Sequence, residues 1–147
     1  MQHPRYIPTL THGLLDHLLG IVMITSPWLF EYHAARGLAV QVLFILGGLL
    51  VLSSLVTRFE MGVFKLMNVR THLWIDLVIG VSLALSPWIF DFSDRIFLPH
   101  LFGGSLIAII SIFTASTPFD ETRYTEVVIR EGRAEVTRYA RSADNSL

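Results

Sequence analysis

Four stretches of the chain, roughly residues 11–30, 37–57, 71–90 and 96–115, are apolar over about the ~20 residues a helix needs to cross a bilayer. The second and fourth contain no Asp, Glu or Lys, so neither carries the charged stripe that a helix of a soluble bundle turns to water. The pattern predicts an all-α membrane protein of four transmembrane helices. Within this apolar background the polar residues recur. Thr11-His12-x-x-x-Asp16-x-x-x-Gly20, followed by Ser26-Pro27-Trp28-x-Phe30, returns sixty residues later as Thr71-His72-x-x-x-Asp76-x-x-x-Gly80, followed by Ser86-Pro87-Trp88-x-Phe90. Self-similarity at a fixed spacing marks one supersecondary unit used twice. Each unit crosses twice, so its copy enters the membrane from the same side, and the two are parallel repeats about an axis near the membrane normal. On this reading residues 11–57 form the first repeat, 58–70 a connecting loop and 71–115 the second repeat. Residues 1–10 and 116–147 lie outside the repeats.

Composition agrees: 52% of the 147 residues are hydrophobic and only 16% charged, with a mean hydropathy of +0.56, too apolar for an ordinary soluble domain of this size. The net charge of −1 hides an uneven distribution, since five of the eleven Lys and Arg fall in the last 32 residues. The absence of cysteine excludes disulfides, thiolate metal sites and a Cys nucleophile. The first apolar segment carries Asp16 and His17 and is preceded by no signal-peptide pattern, so it is expected to be retained as a span. Basic residues set the orientation. Arg58, Lys65 and Arg70 lie in the middle loop and Arg5 in the N-terminus, whereas the other two connections hold only Arg36 and Arg95 beside Glu31, Asp91 and Asp94. The positive-inside rule then puts both termini and the middle loop in the cytoplasm of a multi-pass protein of the inner (plasma) membrane.

The repeated residues have physical roles that can be anticipated. Pro27 and Pro87 lack an N–H and free the carbonyls of Met23 and Leu83, one turn back. Hydroxyls at Thr25, Ser26 and Ser86 are placed to re-satisfy that backbone, and Trp28 and Trp88 are placed to sit in the headgroup interface at the end of each run. The alternative is that the two Trp line a ligand site at the outer mouth. At the inner end His12, Asp16 and Gly20, like His72, Asp76 and Gly80, are spaced at i, i+4 and i+8 and share one helix face. A carboxylate about one turn into hydrocarbon is costly unless paired, protonated or wetted, so Asp16 and Asp76 are the residues to single out. Three readings are open: a polar lock between the hairpins, a proton or cation site where two carboxylates and two imidazoles converge, or metal ligation, for which i,i+4 spacing is a weak signal. His12 and His72 could also face one another as haem ligands, but nothing requires it, and no metal or cofactor is assigned. Gly47-Gly48 and Gly103-Gly104 occupy corresponding places in segments two and four and, with Gly20 and Gly80, are expected to let helices pack closely.

In the tail, Tyr124 to Arg130 and Arg133 to Tyr139 are β-prone runs around Glu131-Gly132 and predict a hairpin, with a short surface helix as the alternative. The doubled Ser-Pro-Trp with its upstream His, Asp and Gly resembles the SPW-repeat family of small bacterial and archaeal integral membrane proteins, over almost all of residues 11–115. The resemblance implies two helices per repeat, with the motif in the first of each pair, and implies no activity. No nucleotide-binding loop, nucleophile elbow or zincin motif is present. The expectation is a non-catalytic module embedded in the lipid bilayer, either a homo-oligomer or an accessory subunit among other membrane subunits, with no nucleic-acid partner. The alternative is a small proton-coupled or cation transporter using Asp16 and Asp76 with His12 and His72.

Overall fold

A computed structural model describes residues 7–30, 37–116, 129–131 and 133. Four helices follow one another: α1 (Thr9–Leu29), α2 (Leu38–Val56), α3 (Val69–Ile89) and α4 (Leu98–Phe113). Contacts are richest within α1–α2 and within α3–α4, and sparser between the two hairpins. Asn68 caps α3 by accepting from the Thr71 N–H at 2.8 Å. At α4, Pro99 opens the helix and Thr114 leaves it. The result is 16 residues where the sequence predicted a span over 96–115, or about 24 Å of helix.

The two repeats are closed by the same backbone device. Ile7 pairs with Thr114 and Met67 pairs with Thr57 in isolated parallel bridges. Ile7 N–H donates to Phe113 O and receives Ala115 N–H on its own carbonyl, while Met67 N–H donates to Val56 O and receives Arg58 N–H. The chain entering α1 thus meets the end of α4 as the chain entering α3 meets the end of α2. Both bridges lie at one end of the bundle, beside the 58–66 loop. In the tail, residues 129–131 and 133 are helical, so the predicted hairpin is wrong at the place where its turn was expected, and the helix alternative fits these residues. Arg130 and Arg133 would have faced each other across that hairpin as a like-charge pair, which strand pairing disfavours. The remaining hairpin residues lie outside the described residues.

Polarity is inverted relative to a water-soluble bundle. Leu10, Leu14, Leu18 and Ile21 on α1, Ile45, Leu49 and Leu52 on α2, Trp74, Val78, Val81 and Leu85 on α3, and Phe102, Leu106 and Ile109 on α4 form exposed stripes at helical spacing. The buried side holds Met23, Leu43, Leu50, Leu83 and Ile107, but also His12, Asp16, Ser26, Ser54, Thr57, His72, Asp76, Ser86, His100, Ser111 and Thr114. Among the described residues α2 and α3 are long and apolar enough to cross a membrane.

Glycine positions within the hairpins differ from the sequence expectation. A Cβ on Gly20 would meet Val51 and Gly47 O, and a Cβ on Gly80 would meet Ala108 and Gly104 O, so Gly47 corresponds to Gly104. Gly48 has open space around it and Gly103 only an ordinary contact with Leu83 at 3.6 Å, so neither makes a close helix approach within its hairpin. The reason is periodicity: of two adjacent helical residues, only one faces a given neighbour.

Candidate functional site

The i,i+4 faces of α1 and α3 meet near the bridged end of the bundle. His12 Nε2 lies 3.0 Å from Asp76 Oδ2 and 3.1 Å from Asp16 Oδ2. His72 Nε2 lies 2.9 Å from Asp16 Oδ2 and 3.1 Å from Asp76 Oδ2. The two Nε2 atoms are 3.3 Å apart, with the rings nearly perpendicular. No tetrad member is more than 2% exposed. The structure thus unites all four sequence-selected polar residues, and it does so crosswise: the shortest contact of each histidine is with the aspartate of the other repeat.

The surroundings fix how the tetrad can act. Thr114 Oγ1 donates its single hydrogen to Ile110 O at 2.6 Å and lies 2.9 Å from His12 Nδ1. With that hydrogen committed, the hydroxyl must accept from His12 Nδ1–H, so a neutral His12 presents the lone pair of Nε2 to the tetrad. On the other side the Phe59 ring lies against His72, with centroids 5.5 Å apart, and a Cβ on Gly13 would strike that ring. Phe59 therefore covers the tetrad from the loop between α2 and α3. The pseudo-twofold arrangement is incomplete here, since Asp76 Oδ1 and His72 Nδ1 have no hydrogen-bond partner among the described residues. Thr9 adds a further tie between N-terminus and loop by donating to the Glu60 carboxylate at 2.8 and 3.0 Å.

Sequence reasoning missed Thr114, Ser111 and Phe59. A signal was present, because Ser54-Leu55-Val56-Thr57 and Ser111-Ile112-Phe113-Thr114 end the second helix of each repeat alike. Ser111 Oγ donates to Leu73 O across the second hairpin. At the matching place in the first, His17 Nδ1 is 2.7 Å from Gly13 O and 3.2 Å from Ser54 Oγ. His100 is fully buried: its Nε2–H donates to Ala39 O at 2.9 Å, joining α4 to α2, with the Phe92 ring tilted against its own at a centroid distance of 4.9 Å.

The Ser-Pro-Trp motifs occupy the other ends of α1 and α3, ten residues and about 15 Å of helix from the aspartates. Ser26 Oγ donates to Met23 O at 2.8 Å and Ser86 Oγ to Leu83 O at 2.7 Å, which are the carbonyls that Pro27 and Pro87 leave without an N–H. Thr25 bonds elsewhere, to Ile21 O. Both serines are buried, so removing one hydroxyl strands a carbonyl away from water. Ser86→Ala is therefore expected to cost about 1–3 kcal/mol, while Ser86→Thr, which keeps the hydroxyl, costs less. Thermal unfolding in detergent checks this, and equal melting of the two variants would count against the role. Trp28 packs edge-on to Phe44 and Trp88 against Phe97, each with about half its surface exposed.

Comparison with protein families finds the SPW repeat domain over residues 10–114, which spans both hairpins and the tetrad. No match was found among curated proteins or solved structures.

Proposed function

The chain belongs to the SPW repeat domain family, and from that premise we propose that it is a non-catalytic integral membrane module. All four helices cross the bilayer as two parallel hairpins, with both termini and the 58–70 loop in the cytoplasm. The module acts as a homo-oligomer or as an accessory subunit among other membrane proteins. The observation that carries this reading is the inverted polarity. Stripes of large apolar side chains face outward on every helix while the polar residues face one another, which suits lipid as solvent and would leave extensive unpartnered apolar surface in water. The short α4 can be accommodated by modest local thinning of the bilayer.

Within this reading the tetrad is the joint between the repeats. Supporting a joint over a transport site is its closure: both histidines and both aspartates are buried, Thr114 holds one imidazole and Phe59 covers the other. The transport alternative rests on the convergence of two carboxylates and two imidazoles, and it makes a separate prediction. Proteoliposomes carrying the parent chain are expected to show no proton or cation flux above empty vesicles, and Asp16→Asn with Asp76→Asn is expected to change assembly but not flux. Flux in the parent that vanishes in the double variant would favour the transporter.

The absence of cysteine gives a clean test of topology. Lys65→Cys in the middle loop and Asp94→Cys in the α3–α4 connection are both at exposed positions. In intact cells a membrane-impermeant maleimide is expected to label Asp94→Cys and to spare Lys65→Cys until the membrane is opened. Labelling of Lys65→Cys in intact cells would overturn the proposed orientation.

A further inference from the structure

We propose that the tetrad is a binding site for a divalent transition-metal ion, Zn²⁺ foremost, held by His12 Nε2, His72 Nε2, Asp16 Oδ2 and Asp76 Oδ2. This differs from the sequence expectation, which assigned no metal, and as regards the ion's role it rests on the reading of the tetrad as the joint between repeats.

The geometry comes first. The four donor atoms lie within 4.8 Å of one another, and five of their six separations are between 2.9 and 3.3 Å. A tetrahedral ion with bonds of about 2.0–2.1 Å has ligands roughly 3.3 Å apart, so the five short separations nearly match the edges of such a shell, and the sixth, between the two carboxylate oxygens, lies within 4.8 Å. Two imidazoles and two carboxylates suit Zn²⁺ and its neighbours in the first transition row, whereas Ca²⁺ and Mg²⁺ prefer six or more oxygen ligands.

Hydrogen counting is an independent argument. The Thr114 hydroxyl donates to Ile110 O and so must accept from His12 Nδ1–H, which in the neutral imidazole leaves the His12 Nε2 lone pair aimed at two carboxylate oxygens and a second Nε2. Ionised carboxylates only accept, and a ring N–H points in a single direction. Two N–H groups cannot serve all five close contacts, and with both present their hydrogens would crowd across the 3.3 Å gap between the nitrogens. One cation at the centre uses every lone pair at once. Its two charges offset those of Asp16 and Asp76 in an apolar interior, where an uncompensated carboxylate is costly. Thr114 then acts as the outer partner that orients a ligating imidazole through its other ring nitrogen.

The full-length protein, purified in detergent without chelator, is expected to contain about one equivalent of metal per chain by inductively coupled plasma mass spectrometry. After stripping with a chelator, titration with Co²⁺ is expected to produce the intense visible bands of tetrahedral cobalt, saturating at one equivalent. Asp76→Asn is expected to lose both signals. If that variant does not fold, the cobalt titration of the parent chain decides alone. A parent chain that carries no stoichiometric metal and shows no tetrahedral cobalt bands overturns the site. Failure of the joint reading looks different: the metal binds at one equivalent, yet stripping it leaves the melting temperature unchanged.

Discussion

Asp16→Val alone, measured in the presence of a chelator so that no ion contributes, is expected to lower stability by about 3–5 kcal/mol. The substitution leaves two buried imidazoles, His12 and His72, with one carboxylate between them, and removes contacts of 3.1 and 2.9 Å that face no water. Breaking one member of a buried ionic network costs more than removing all of it, because the survivors keep their desolvation penalty without compensation. The quadruple variant His12→Leu, Asp16→Val, His72→Leu, Asp76→Val is therefore expected to recover most of the loss. Thr114 supports that recovery, since its hydroxyl keeps its bond to Ile110 O when His12 is gone. Thermal unfolding in detergent followed by circular dichroism tests the pair. A quadruple variant as unstable as the single one would show that the tetrad contributes net stability rather than mutual compensation.

That prediction joins two levels at which the chain can be read. The i,i+4 spacing of His12 with Asp16 and of His72 with Asp76 was legible in the sequence, because helix periodicity dictates which residues share a face. Which face meets which was not legible, and pairing across the repeats depends on how α1 and α3 are brought together. The Ser-Pro-Trp motif was more local. A proline four residues after a carbonyl, with a hydroxyl one residue before the proline, contains its own hydrogen-bonding solution, and Ser26 and Ser86 adopt it. Thr114 and Phe59 were hidden because each acts on an element distant in sequence: Thr114 reaches His12 over a separation of 102 residues. The helices carrying the two threonines also follow a different spacing from the motif. His12 and His72 are sixty residues apart, whereas Gly47 and Gly104, like Thr57 and Thr114, are 57 apart. Aligning the visible Gly-Gly pairs by eye shifts that register by one residue, enough to turn a packing position outward. The tail failed for another reason, since β-prone composition in a short run is a weak signal that context readily overrides.

Register also determines the second large effect, in which one methyl group has opposite consequences at two glycines of similar appearance. Gly104→Ala is expected to destabilise the second hairpin by about 1–3 kcal/mol, toward the upper end of what overpacking costs. Its Cβ would fall 2.4 Å from both Ala84 N and Gly80 O, and these are backbone atoms that cannot rotate aside. Relief requires α3 and α4 to separate, which loosens Leu83 and Ile107 in the core and lengthens the bond from Ser111 to Leu73 O. Gly20→Ala strikes Val51 Cγ2 at 2.4 Å but Gly47 O only at 3.0 Å, so part of its strain falls on a side chain and its cost is smaller. Gly48→Ala meets nothing within 4 Å, and by removing backbone freedom from the unfolded chain it is expected to stabilise α2 by roughly 0.5–1 kcal/mol. Melting temperatures of the three single variants in one detergent give the ordering. A Gly104→Ala protein that melts with or above Gly48→Ala would mean that α3 and α4 do not approach through Gly80 and Gly104. The pairing of Gly47 with Gly104 would then lose its basis as well, because both assignments rest on the same close approach of helix backbones.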